Sequence, residues 1–60
     1  MTIYINGEEA TFNQALAHFV GLNFSYDIVE LKAILTKATK PNGEDQRDYL
    51  LSSGIEIIFD

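Results

Sequence analysis

Residues 28–38 read IVELKAILTKA, and the fold class depends on whether this stretch is a helix or a strand. Its opening IVEL would suit a strand. Ile28, Leu31, Leu35 and Ala38, however, recur at the spacing that places all four on one helical face. Charge supports the helix. A start signal at Ser25 precedes Asp27 and Glu30, which stand where the dipole is positive, while Lys37 and Lys40 stand near its negative end. Pro41 cannot continue the helix, so PNGED reads as a turn with Gly43 supplying flexibility.

N-terminal to this helix, Thr11 and Gln14 have the spacing of a capping box, and Phe12, Leu16, Phe19 and Val20 form the apolar stripe of a two-turn amphipathic helix. Gly21 is placed to end it. The preceding stretch, TIYINGEEATF, sets Asn6-Gly7 between two β-prone arms, the pair that tolerates the positive φ angles of a type I′ turn. A two-residue turn pairs Ile5 with Glu8, Tyr4 with Glu9 and Ile3 with Ala10. Ile3 and Ile5 then share one face, Thr2 and Tyr4 the other.

C-terminal to the PNGED turn, EDQRDYLL reads as a short third helix or helical turn. IEIIFD then reads as a strand, with Ile55, Ile57 and Phe59 on one side and Glu56, Ile58 and Asp60 on the other. An isolated hairpin is marginal in water, so this strand is expected to pair beside Thr2–Ile5 and complete a small sheet. The fold class is therefore α+β: a sheet from the N-terminal hairpin and the C-terminal strand, packed on its Ile face by the two amphipathic helices.

Sixty residues make one domain, which buries only roughly 60% of the surface its unfolded chain exposes. Without cysteine, neither disulfides nor thiolate zinc sites can staple the fold, and a reducing cytoplasm is the expected compartment. No apolar run is long enough to cross a bilayer, and MTIYINGEEA lacks the features of a signal peptide, so a soluble, unprocessed protein is expected. Nine carboxylates against four Lys and Arg give a net charge of −5. That charge repels phosphate backbones and disfavours direct nucleic-acid binding.

Catalytic chemistry finds little support. His18 falls on the polar side of the first helix and is expected to face solvent. With no second His and no Cys, no transition-metal site is expected. Ser25, Ser52 and Ser53 sit where capping and turn roles explain them, and Glu44, Asp45 and Asp48 lie in a segment that reads as exposed rather than as a cleft able to shift a carboxyl pKa. The glycines stand singly at turns, so no phosphate-cradling loop is formed. The sequence thus predicts a non-enzymatic protein with no cofactor.

Leu16, Ala17, Val20, Gly21 and Leu22, within NQALAHFVGLNFSYDIVEL, give this third of the chain a pattern that resembles part of the helix-turn-helix signature of DNA-binding regulators. That resemblance implies a second helix presenting Lys32, Lys37 and Lys40 to DNA. INGEE in a first hairpin, a helix ending VGL, IVEL as a strand and a closing LLSSGIEIIF follow the order of the ubiquitin-like sulfur carriers of the β-grasp fold. This resemblance implies strand over residues 28–32, without the Gly-Gly tail that carrier activation needs. In kind rather than in motif, a tiny acidic cysteine-free domain looks like phage-encoded inhibitors of host defence, anti-CRISPR proteins included. Such proteins can occupy nucleic-acid-binding surfaces with carboxylates standing where phosphates would lie.

The expected function is accordingly that of a small acidic interaction module that blocks a basic, nucleic-acid-binding protein surface by charge mimicry or steric occlusion. The alternatives are a helix-turn-helix-like regulator and a β-grasp domain without a carrier tail. Candidate partner-binding residues are Glu8, Glu9, Glu44, Asp45, Asp48, Glu56 and Asp60 for charge, with Tyr4 and Ile58 as apolar anchors. The expected partner is another protein rather than nucleic acid or membrane. Association as a homodimer through the sheet edge is a further route by which so small a domain would gain stability.

Overall fold

A computed structural model describes residues 1–59; Asp60, placed above in the last strand, lies outside the described residues. Six elements follow one another: β1 (Thr2–Ile5), β2 (Glu8–Ala10), α1 (Phe12–Leu22), α2 (Ile28–Ala38), α3 (Glu44–Leu51) and β3 (Ile55–Ile58). The sheet has the order β2-β1-β3 and is antiparallel throughout, giving a small α+β fold.

The hairpin forms as its turn chemistry dictates. Asn6 and Gly7 both take positive φ, 50° and 87°, and the register joins Ile5 to Glu8, Tyr4 to Glu9 and Ile3 to Ala10. On the other side of β1, Ile3 meets Ile57 and Ile5 meets Ile55, so the apolar residues of both strands share one face. Asn6 also donates its backbone N–H to the Gly54 carbonyl at 2.8 Å, which ties the hairpin turn to the turn before β3.

Local signals set the helix starts. The Thr11 hydroxyl accepts from the Gln14 N–H at 3.1 Å while Gln14 Oε1 accepts from the Thr11 N–H at 2.9 Å, closing the capping box at the head of α1. α1 does not stop at Gly21. It runs through Leu22, and Asn23 ends it by donating its side-chain amide to the Phe19 carbonyl and its backbone N–H to the Val20 carbonyl. Asp27 caps α2 through Oδ1, which accepts from the Val29 N–H at 2.9 Å. Because residues 28–32 are helical, the strand that the β-grasp resemblance requires there is not formed.

α1 packs against β1, α3 packs against β3, and α2 makes its main contacts with α1 and α3. The expected sheet packed by helices is formed, and the segment read as a short third helix or helical turn is an eight-residue helix that rests on β3, while α2 braces α1 and α3. The core is Ile3, Ala15, Phe19, Leu31, Leu35, Ala38, Leu50, Ile55 and Ile57. Leu50 alone of Tyr49, Leu50 and Leu51 is buried, because an eight-residue helix turns only one narrow stripe inward. Two residues assigned to the core lie elsewhere. Ile28, at the first position of α2, is 55% exposed, and Phe59, beyond the end of β3, is 45% exposed.

Phe59 has another task. The Arg47 guanidinium sits 4.7 Å from its ring centroid and donates to the carbonyls of Ala38 (3.1 Å), Lys40 (2.6 Å) and Pro41 (3.2 Å). One planar fork thereby reaches the Ala38 carbonyl at the C-terminus of α2 and two carbonyls of the following turn, where that of Lys40 also accepts from the Gly43 N–H at 3.0 Å, and fastens α3 and Phe59 to that turn. Arg47→Ala is expected to lose about 2 kcal/mol of stability, since hydrogen bonds from a charged donor contribute about 1.5–3 kcal/mol and the guanidinium here is partly exposed. Arg47→Lys keeps the charge without the fork and is expected to recover less than half of that loss. Urea denaturation of the three proteins measures both; a loss below about 0.5 kcal/mol, the level of an ordinary surface change, contradicts the stapling role.

Candidate interaction surface

α1 and α3 rest on the sheet, whose buried face carries Ile3, Ile55 and Ile57, and the opposite face is the open one, with Glu9, Glu56 and Ile58 exposed. Tyr4 lies at the centre of that open face, with Glu9 as its cross-strand partner on β2 and Glu56 on β3. Directly paired residues project to the same side, so the three form a row across the strands, an aromatic ring flanked by two carboxylates. The adjacent row pairs Thr2 with Ile58, and Ile58 is 42% exposed. Glu9 and Glu56 are exposed, and Tyr4 is half-buried by its neighbours. A rigid aromatic with a polar tip, an exposed isoleucine and fixed carboxylates suit a binding face, because ordered strands hold them in place without further loss of entropy.

The remaining acidic candidates lie elsewhere. Glu8 pairs with Ile5 and so projects toward the opposite side of the sheet from Glu9, although it stays exposed at the hairpin end. Glu44, Asp45 and Asp48 are all exposed on α3, where helical spacing gathers them within about 100° on its outward side. Glu44 and Asp45 also occupy the first turn, where the helix dipole favours negative charge. These three form a second acidic group, on an element that packs against the other face of the sheet. Asp60 is outside the described residues.

His18 departs from its expected position. It is half-buried, and its Nε2 lies 2.8 Å from the Ser53 carbonyl oxygen. A carbonyl only accepts, so Nε2 carries the hydrogen and donates it, anchoring α1 to the turn between α3 and β3. Among the described residues no group of three or more His, Cys, Asp or Glu could hold a metal ion, and no helix is long and apolar enough to cross a membrane.

The sequence reading missed an apolar surface. Leu22, Phe24, Tyr26, Ile28 and Val29 are all exposed, Phe24 by 86% and Val29 by 70%. The signal was present in LNFSYDIV: the helical stripe of α2 accounts for only one of its five large apolar residues. Val29 belongs as well to a shallow groove along the outer side of α2, where Lys32, Lys37 and Lys40 border Ala33 and Pro41. Three of the four cationic residues therefore gather on one helix and its following turn, and the fourth, Arg47, is engaged internally. The charge is segregated rather than uniformly negative.

Comparison with protein-family models, with curated proteins and with solved structures returned no match to this chain.

Proposed function

We propose that this protein is a non-enzymatic interaction module whose open sheet face engages a basic, nucleic-acid-binding surface of another protein, in the manner of phage-encoded counter-defence inhibitors. One observation carries the reading: the row Glu9–Tyr4–Glu56 stands on the sheet face that no helix covers. Carboxylates at fixed positions on adjoining strands can meet lysines and arginines that would otherwise contact phosphates, and Tyr4 and Ile58 supply the apolar centre that charge alone lacks. Glu44, Asp45 and Asp48 contribute long-range attraction, chiefly to the association rate, because they lie outside the row.

The test is capture from a lysate of the source cells on immobilised protein. A basic partner is expected to elute as salt rises and to be displaced by competing duplex DNA, since both charge screening and a phosphate backbone act on the same contact. Capture that is indifferent to salt and to DNA contradicts charge mimicry. The helix-turn-helix reading draws on a different observation, the exposed position of Lys32 and Lys40 beside the α2 groove. It requires the protein itself to retard duplex DNA at moderate salt; we expect no retardation, because a body of charge −5 is repelled before three lysines can dock.

A further inference from the structure

We infer that the outer side of α2 is the interface of a two-fold dimer, in which α2 of one copy lies antiparallel across α2 of a second copy of this chain. The surface has the composition of an interface. Phe24, Tyr26 and Val29 are exposed at the N-terminal end of α2, and a shallow groove runs from Val29 beside Ala33, Thr36, Lys37 and Pro41. Large apolar side chains left exposed beside a groove mark an interaction surface.

The charge order along the helix selects the occupant. Asp27 and Glu30 stand at its start, Lys37 and Lys40 at its end. A copy laid parallel would set acid beside acid and base beside base. Laid antiparallel, with Ala33 of both copies at the crossing, the turn carrying Glu30 lies beside the turn carrying Lys37 of the second copy. The small Ala33 side chain allows the axes to approach closely there, and helical periodicity puts Glu30 and Lys37 on the same flank of α2. The same register carries the aromatic pair Phe24 and Tyr26 to the groove at Lys40 and Pro41 of the second copy, where a tyrosine face can receive an ammonium group. Two-fold symmetry forms each contact twice, and the helix dipoles run antiparallel. A domain this small gains stability from such an association. The pairing uses neither the open sheet face nor α3, so both copies keep their acidic surfaces free.

Sedimentation equilibrium over a concentration series tests the pairing. Wild type is expected to pass from monomer to dimer with a Kd on the order of 10–100 μM, the range of a small reversible interface. Ala33→Arg places a bulky charge at the crossing and is expected to remain monomeric throughout; Ala33 is exposed, and unchanged circular dichroism checks the fold. Glu30→Lys and Lys37→Glu are each expected to weaken association about tenfold through the like charges they create, and the double exchange is expected to restore it. A wild type that stays monomeric at millimolar concentration overturns the proposal. So does a dimer that survives Ala33→Arg, or a double exchange no better than its single variants.

Discussion

Gly43→Ala is expected to remove about 3 kcal/mol of folding stability, the upper part of the usual range for inserting atoms into filled space. Gly43 is buried between α2 and α3, and its φ of −96° is one that any residue adopts, so conformational freedom is not what the position demands. It demands room. A Cβ there would overlap the Lys37 carbonyl oxygen and stand 2.7 Å from the Lys37 carbonyl carbon and 3.0 Å from Ala38 Cα. All are backbone atoms at the end of α2, which cannot swing aside as a side chain would. Relief requires α3 to move off α2, and that movement also strains the three carbonyl bonds of Arg47. Gly21→Ala provides the opposite case: nothing lies within 4 Å of its Cβ and the residue is inside α1, so the alanine is expected to stabilise by up to about 1 kcal/mol. Urea denaturation of both variants decides. Equal effects at the two positions, or a Gly43→Ala protein as stable as wild type, contradict the close packing of α3 on α2.

Phe19→Ala is expected to lose about 3–5 kcal/mol, the transfer energy of a buried ring together with the cavity it leaves. Phe19 is completely buried, and its ring meets Tyr49 edge to face, with centroids 6.2 Å apart at 79°. At roughly 0.05–0.15 kcal/mol per residue, a chain of this length has about 3–9 kcal/mol in total, so the variant is expected to be largely unfolded at 37 °C. Phe19→Leu refills most of the volume and is expected to fold with a lower Tm. Thermal unfolding followed by circular dichroism separates the two; a cooperative Phe19→Ala transition close to that of wild type would show that the core is not organised around this ring.

The parts of the fold governed by short-range chemistry were legible in the sequence. Asn6-Gly7 has a backbone preference that sets a register by itself, Thr11 and Gln14 cap within one turn, and Leu31, Leu35 and Ala38 follow the period of the helix that buries them. Long-range placement was not legible. Gly43 read as a flexible turn residue, because sequence cannot show that another helix end comes close. His18 read as solvent-facing, because its partner Ser53 lies 35 positions away. Ile28 opens α2 and Phe59 follows β3, each keeping its element's period, but at an element's end the neighbours that would bury them are missing. The uncovered sheet face was legible as a pattern, Thr2 and Tyr4 beside Glu56 and Ile58. Its openness depends on where α3 packs, and sequence periodicity does not report that.

The proposed function depends most heavily on the Glu9–Tyr4–Glu56 row as the partner surface, and the affinity of the captured partner for a Glu9→Lys/Glu56→Lys double variant tests it most directly. Both residues are exposed, so circular dichroism is expected to be unchanged. Reversing two charges opposite a basic surface is expected to weaken binding about a hundredfold, while reversing Glu44, Asp45 and Asp48 slows association with a smaller change in Kd. A folded double variant that binds within about twofold of wild type, the scale of a bystander change, contradicts the account.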